Sequence, residues 1–201
     1  PLFKTTSDDV VTIDFGTLAA TTARINEINA LAAQDGVSSI TGTLTGVSVA
    51  DIALLSADLS SSNSTINFTV DEAVTVAQAA GLLAHTNTSS AAIQFSAGIS
   101  DSLSAYATSG STTSELNSIV AEDVDLVATV TGTLGSSAQD ITDLNALATK
   151  FDGSGLSAKV VATISATKDK LYSSSSNAAL LSTSTNDAIT ITVTDAVSPT
   201  E

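Results

Sequence analysis

The sequence predicts an α/β fold built as a repetitive two-layer β-α solenoid-like array, with about seven strands and short helices on one face. Three observations predict it. A 17-residue phrase, Gly16 to Ala32, returns without a gap as Gly132 to Ala148, with eight identical positions. Internal recurrence of this kind marks repeat architectures. Segments of period two also alternate along the chain with segments of helical period, as parallel strands joined by crossover helices require. Finally, the strands interleave apolar residues with Thr, Ser, Asn and Gln, whereas parallel strands covered on both faces read as continuous apolar runs. Helices are therefore expected over one face only. The alternative reading is a pair of tandem β-sandwich modules with short peripheral helices.

Residues 1–8 read as a flexible lead-in. Asp9 to Phe15 alternates, with Val11, Ile13 and Phe15 on one side and Thr12 and Asp14 on the other, and predicts a strand. Thr21 to Gln34 predicts a helix, with Thr22 as N-cap, a stripe of Ile25, Ile28, Leu31 and Ala32, and Asp35-Gly36 as its end. Ser39 to Gly46 is a second strand, Val49 to Leu59 a helix, and Thr65 to Val70 a third strand with Ile66, Phe68 and Val70 inward. Val76 to His85 reads as a helix and Ala92 to Ile99 as a strand. Asp101 to Val120 reads as a helix broken at Ser109-Gly110-Ser111. Val124 to Thr131 is a strand, and Ile141 to Thr149 is the second copy of the opening helix. Lys159 to Ser165 is a strand, Asp169 to Leu181 a helical segment interrupted by serines, and Ala188 to Thr194 the last strand.

The strand-to-strand step of about 26–35 residues leaves room for a crossover each time. Three modules follow, 9–74, 75–135 and 136–195, with a polar tail at 196–201. The strand Asp9 to Phe15 matches Asp125 to Thr131 at the offset of 116 that relates the two phrases. By pattern it belongs to a module preceding residue 1, so the chain reads as a window on a longer array.

Composition narrows the function. Ser and Thr make up about 30 % of the chain, and charged residues only 13 %. The 21 acids against six bases give a net charge of −15, which repels nucleic acid and anionic lipid. Cysteine is absent, which excludes disulfides and thiolate metal sites. No apolar run approaches membrane-spanning length. The acid and hydroxyl surplus, with Met and Trp absent, points to an extracellular or cell-surface location.

Nothing predicts an enzyme. The single histidine, His85, has no nucleophile or orienting acid nearby and reads as a residue at a helix C-terminus. No nucleophile elbow, phosphate loop or dinucleotide fingerprint occurs. Carboxylates gather at element junctions: Asp8-Asp9, Asp71-Glu72, Glu122-Asp123 with Asp125, Asp140 with Asp143, Asp187 and Asp195. Hard oxygen ligands at turns suit calcium, and Asp71, Glu72, Glu122, Asp123 and Asp125 are the candidate ligands. Caps and solvated turns are the simpler account. No EF-hand loop or glycine-rich calcium nonapeptide is present. Apart from calcium no cofactor is expected. Nine threonines, Thr12, Thr41, Thr43, Thr69, Thr129, Thr131, Thr163, Thr190 and Thr192, are candidates for one hydroxyl-and-methyl sheet face, a surface suited to glycan, ice or another cell. The bland account is that Thr favours half-exposed strand positions.

The helix-plus-strand phrases carry a resemblance. Ile28-Asn29-Ala30-Leu31-Ala32, the stretch Thr75 to Ser102 and the stretch Asp140 to Ala148 resemble the long repetitive surface and adhesin-like proteins secreted by bacteria, cyanobacteria especially. The resemblance implies an extracellular, non-enzymatic, structural role, often with calcium.

The expected function is a self-associating extracellular repeat protein forming a stalk, sheath, surface layer or filament by module stacking. Its partners are copies of itself. Unpaired edge strands are the expected joints: Val11, Ile13 and Phe15 at one end, Ile189, Ile191 and Val193 at the other. The alternative is an adhesion module that binds a cell-surface glycan through the threonine face. No nucleic-acid partner and no membrane insertion are expected.

Overall fold

The structure is a computed structural model. It describes residues 10–55, 65–84, 93–135, 137–173, 178–179, 181–182, 184 and 186–195. The expected lead-in at 1–8, the tail at 196–201 and His85 lie outside the described residues. The chain is mixed α/β and divides into two compact units, Pro1–Ala97 and Gly98–Glu201. That division falls within the expected second module, 75–135.

Unit one alternates strand and helix: β1 (Val11–Ala19), α1 (Thr22–Ala32), β2 (Val37–Val47), α2 (Val49–Ile52), β3 (Thr65–Val70), α3 (Val76–Leu83) and β4 (Ile93–Phe95). Its four strands form one parallel sheet in chain order, β1-β2-β3-β4. Leu18, Leu44, Phe68 and Ile93 stand side by side across all four strands. The last three are 0–1 % exposed. Thr17, Thr43 and Asn67 form the neighbouring polar row. Period-two alternation thus becomes one buried face and one half-exposed face. Ile25 and Ile28 of α1, Ile52 of α2, and Ala79 and Leu82 of α3 complete the core.

Unit two contains β5 (Ile99–Asp101), α4 (Leu103–Tyr106), β6 (Ala107–Thr108), β7 (Ser111–Thr112), α5 (Ser114–Glu122), β8 (Val127–Leu134) and α6 (Ala138–Phe151). There follow β9 (Lys159–Ala166), α7 (Lys168–Leu171), β10 (Tyr172–Ser173), β11 (Ala178–Ala179) and β12 (Ala188–Val193). A second four-stranded parallel sheet again keeps chain order, β5-β8-β9-β12. Two antiparallel pairs, β6–β7 and β10–β11, stand apart from it. Both main sheets are parallel throughout, unlike the antiparallel sheets of a β-sandwich.

Several elements differ from the sequence reading. The strand expected over Ala92 to Ile99 is two strands, one in each sheet, separated by a turn at Ser96-Ala97 and by Gly98 at φ 74°. The helix expected over Val49 to Leu59 stops at Ile52; it is held at its start by a capping box between Ser48 and Asp51. Of the segment Asp169 to Leu181, residues 174–177 and 180 lie outside the described residues, and the rest holds one helical turn and the β10–β11 pair. The break at Ser109-Gly110-Ser111 is filled by the β6–β7 hairpin, whose turn residues Ser109 and Gly110 have φ 53° and 78°. Two successive positive φ values fit the twist of a two-residue hairpin loop.

The repeated phrase has a physical basis. Both copies open on a bulge glycine, Gly16 at φ 65° in β1 and Gly132 at φ 82° in β8. From there the copies agree. Thr21 and Ser137, not the expected Thr22, cap α1 and α6 by accepting the Arg24 and Asp140 amides. Ile25 with Ile141, and Ile28 with Leu144, are buried. Upstream of the glycine the copies part. β1 takes three steps from Asp14 to Thr17 against two on β2, whereas β8 takes four from Thr129 to Thr133 against two on β9. The extra residue reverses the alternation. Ile13, which pairs with buried Ile40, and Thr129, which pairs with half-buried Val161, therefore fall on opposite faces although they match in sequence.

A side chain at Gly98 would collide with the Val127 carbonyl oxygen of β8. Gly98→Ala adds left-handed strain of about 1–2 kcal/mol to overpacking of about 1–3 kcal/mol. Gly132→Ala meets no atom within 4 Å and carries the strain alone. Urea denaturation is expected to show the larger loss for Gly98→Ala; equal losses would mean that β5 is not held against β8 as described.

Candidate assembly interface

Among the described residues, each main sheet ends on both sides in a strand with one neighbour: β1 and β4 in unit one, β5 and β12 in unit two. The first of these in chain order is β1, which pairs with β2 alone. Val11, Ile13 and Phe15 are half-buried, and Thr12 and Asp14 are exposed. The Phe15 ring occupies the space that a side chain at Gly42 of β2 would need, so β2 lacks a β-carbon where β1 brings its largest apolar group.

In unit two the edge strand that comes last in chain order is β12. Its register on β9 sets Ile189 beside Ala162, Ile191 beside Ile164 and Val193 beside Ala166. The β9 residues are buried, with Ile164 at 0 % and Ala166 at 3 % exposure. Their β12 neighbours in the same rows are Ile191 at 46 % and Val193 at 41 %. The layer that covers β9 thus stops short of β12. The Thr194 amide donates to the Ala166 carbonyl at 3.0 Å, so parallel pairing runs to the end of the strand. Alternate residues of a parallel strand face opposite neighbours. Ile191 and Val193 therefore turn their backbone groups to the open side.

The candidate calcium ligands are divided between the units. Asp71 and Glu72 belong to unit one, and Glu122, Asp123 and Asp125 to unit two. Glu72 accepts the Val49 amide at 3.0 Å, Asp123 is buried, and Asp71 and Asp125 are exposed. Burial holds the Glu122 carboxyl above its ordinary pKa. Among the described residues no group of three or more His, Cys, Asp or Glu side chains is placed to hold a metal ion.

Carboxylates instead join neighbouring strands' segments. Glu72 stands two residues beyond β3 and accepts the first amide of α2, the helix that follows β2. Asp195 stands two residues beyond β12 and accepts the Lys168 amide, the first of α7, at 2.8 Å. Both place a negative charge at a helix start, where it is favoured. Asp187 spans the Val160 amide at 2.9 Å and the Ser184 amide at 3.0 Å. Asp143 accepts the Gly110 amide at 2.6 Å and the Gln139 side chain at 2.7 Å, which seats the hairpin turn on α6.

The nine candidate threonines do not share one sheet. Thr12, Thr41, Thr43 and Thr69 lie on the polar side of the first sheet, where Thr41 pairs with Asp14 and Thr45 with Thr69. Thr129, Thr163, Thr190 and Thr192 lie on the polar side of the second, with Thr133, Thr163 and Thr190 in one row. Thr131 sits in the β8 bulge, outside the register.

Two functional-looking residues escaped the sequence reading. Asn29 donates to the Leu54 carbonyl at 2.7 Å, and Asn145 accepts the Ser182 amide at 2.8 Å. Each is an asparagine on a repeat helix gripping the backbone of a later segment. Their identity in the 17-residue phrase was the available signal. Asn145 also lines an open groove of about 680 Å³ with Thr112, Asn117, Thr149 and Lys150.

No helix among the described residues is long and apolar enough to cross a membrane. Compared with known proteins, the chain matches no family model, no curated protein and no solved structure.

Two outcomes follow from the carboxylates. Asp187→Ala leaves two backbone amides without their acceptor, an expected loss of about 1–3 kcal/mol. Hydrogen exchange at the Val160 amide should accelerate, and unchanged exchange there would remove Asp187 as its partner. For Glu122 the folded state favours the protonated carboxyl, so stability falls as pH rises through its raised pKa. Glu122→Gln should therefore be slightly more stable than the parent at pH 7, by roughly 0.5 kcal/mol or less given its partial exposure. That gain should vanish in thermal melts taken below the ordinary carboxylate range.

Proposed function

We propose that this chain is a structural, self-associating extracellular repeat protein that contributes to a stalk, sheath, surface layer or filament. The single observation that carries the reading is the open apolar row of β12. Ile191 and Val193 continue rows that are buried on β9, yet they stand 46 % and 41 % exposed on a strand that, among the described residues, is paired on one side only. Soluble proteins ordinarily protect such an edge with charges, proline or a bulge. β12 carries none of these: its sequence is Ala-Ile-Thr-Ile-Thr-Val. The chain order of both sheets supports the same reading, because a solenoid-like array grows by adding a parallel strand at its end. The charge of −15 and the Ser/Thr surplus support a location outside the cell.

Magnitudes set the character of the contact. Finishing the burial of Ile191 and Val193 contributes roughly 2 kcal/mol. About six edge hydrogen bonds add roughly 1 kcal/mol each. Loss of translational and rotational freedom opposes them by about 4 kcal/mol or more. One joint is therefore weak in free solution. It becomes effective where copies are held close together, on a surface or along a longer chain.

Sedimentation velocity is expected to show reversible, concentration-dependent oligomers. Ile191→Lys with Val193→Lys places two charges on the open row and should return the chain to monomer without loss of far-ultraviolet dichroism. A parent chain that stays monomeric at millimolar concentration would overturn the proposal.

A further inference from the structure

We infer that the joint is head-to-tail and in one register: β12 of one copy pairs in parallel with β1 of the next, Ile191 beside Ile13. The inference rests on the self-association proposed above and names its partner surface.

The internal repeat identifies the receiving edge. β1 leads into α1 as β8 leads into α6, through the two copies of the 17-residue phrase. β8 is an interior strand, held between β5 and β9. β1 has β2 in the place of β9, and among the described residues nothing in the place of β5. The vacant side of β1 is thus a position that the same fold fills elsewhere, with a parallel strand that comes earlier in chain order.

β12 suits that position on three counts. It is the last strand of its sheet, so placing it before another copy's β1 continues the order and direction used at all six pairings within the two sheets. Its exposed apolar row lies on the buried side of its own sheet, as Ile13 does on β1. It has no charged residue, and β1 has one, Asp14, so two copies of a chain with net charge −15 meet where repulsion is least. A symmetric contact between two β12 strands would leave β1 open. The head-to-tail contact uses the first and last strands of the described residues and leaves each oligomer with one of each, so addition continues.

The register follows from the faces. A slip of one residue would turn the apolar row to the polar side. Among the even shifts, Ile191 beside Ile13 keeps three apolar pairs, and a shift of two residues in either direction keeps two. The same register sets Thr190 beside Thr12 and Thr192 beside Asp14 on the polar face.

The chain has no cysteine, so introduced thiols report alone. Paired strands lie about 4.8 Å apart, within disulfide reach. Thr12→Cys and Thr190→Cys, both at exposed positions, are mixed at high concentration and oxidised mildly. The expected result is a mixed dimer at least tenfold more abundant than either self-linked dimer, with Asp14→Cys and Thr192→Cys giving the same preference. Crosslinking of Thr190→Cys chiefly to itself would overturn the head-to-tail joint and leave self-association standing. Chiefly Thr12→Cys to Thr192→Cys would overturn the register. Oligomers in sedimentation without any of these crosslinks would place the contact elsewhere and overturn the inference. A chain that neither crosslinks nor sediments above monomer would overturn the proposed function with it.

Discussion

The rest of the structure depends on parallel pairing of consecutive strands with like residues in register. Leu18, Leu44, Phe68 and Ile93 form one row, and Leu134, Ile164 and Ile191 another. In such an arrangement each apolar side chain is buried by its counterparts on neighbouring strands as well as by the helices. A strand with neighbours on both sides needs only small aliphatic residues to form a core. That is why a chain with five Phe, two Tyr and no Trp folds around Ile, Leu, Val and Ala. Edge strands differ in cover: Ile93 and Phe95 of β4 and Ile99 of β5 are buried, whereas Ile191 and Val193 of β12, which among the described residues has a neighbour on one side only, are exposed.

Parallel pairing forces a crossover after every strand, and each crossover helix begins with unsatisfied amides. The hydroxyl surplus meets this demand. Thr21, Ser48, Thr75, Thr113 and Ser137 each cap a helix through the side-chain oxygen. Each such cap contributes about 1 kcal/mol. Acids that follow a strand reach back to amides of the preceding helix, as Glu72 and Asp195 do. Polar side chains therefore tie one strand-helix unit to the next, while the apolar rows hold the sheet. Tyr106 combines both roles. It is fully buried, and its hydroxyl donates to the Thr129 carbonyl at 3.0 Å, linking α4 to β8.

An edge with an open apolar row and no protecting charge is a hazard in a monomer and an asset in an assembly. In the proposed assembly, the weakness of a single strand-to-strand joint would be offset at high local concentration, where many joints act together. The two asparagines of the repeat, Asn29 and Asn145, act within the chain: each grips the backbone of a segment further along it. Their recurrence at the same place in both phrases makes that grip part of the repeat, alongside the caps and the bulge glycines.

Much of this protein was legible in local pattern. Strands β2, β3, β9 and β12 and helices α1, α3 and α6 follow from alternation, helical stripes and caps. These features act over a few residues and leave a direct trace in the sequence. The division of Ala92 to Ile99 between two sheets left no such trace. Ile93, Phe95 and Ile99 alternate in the same phase, and the turn at Ser96-Ala97 with the approach of Gly98 to the Val127 carbonyl separates them. The reversal of face between Ile13 and Thr129 likewise turns on one extra residue in a bulge, which is counted against the partner strand and not along the chain. The placement of the acids was decided in the same way, since a carboxylate's partner amide lies 23 to 27 residues distant at Glu72, Asp187 and Asp195. The sequence by itself determined which residues turn inward and where helices begin, because those depend on neighbours one to four positions away. Tertiary structure alone decided which strand meets which, and which rows end in the open, because register and edge position are properties of the paired sheet.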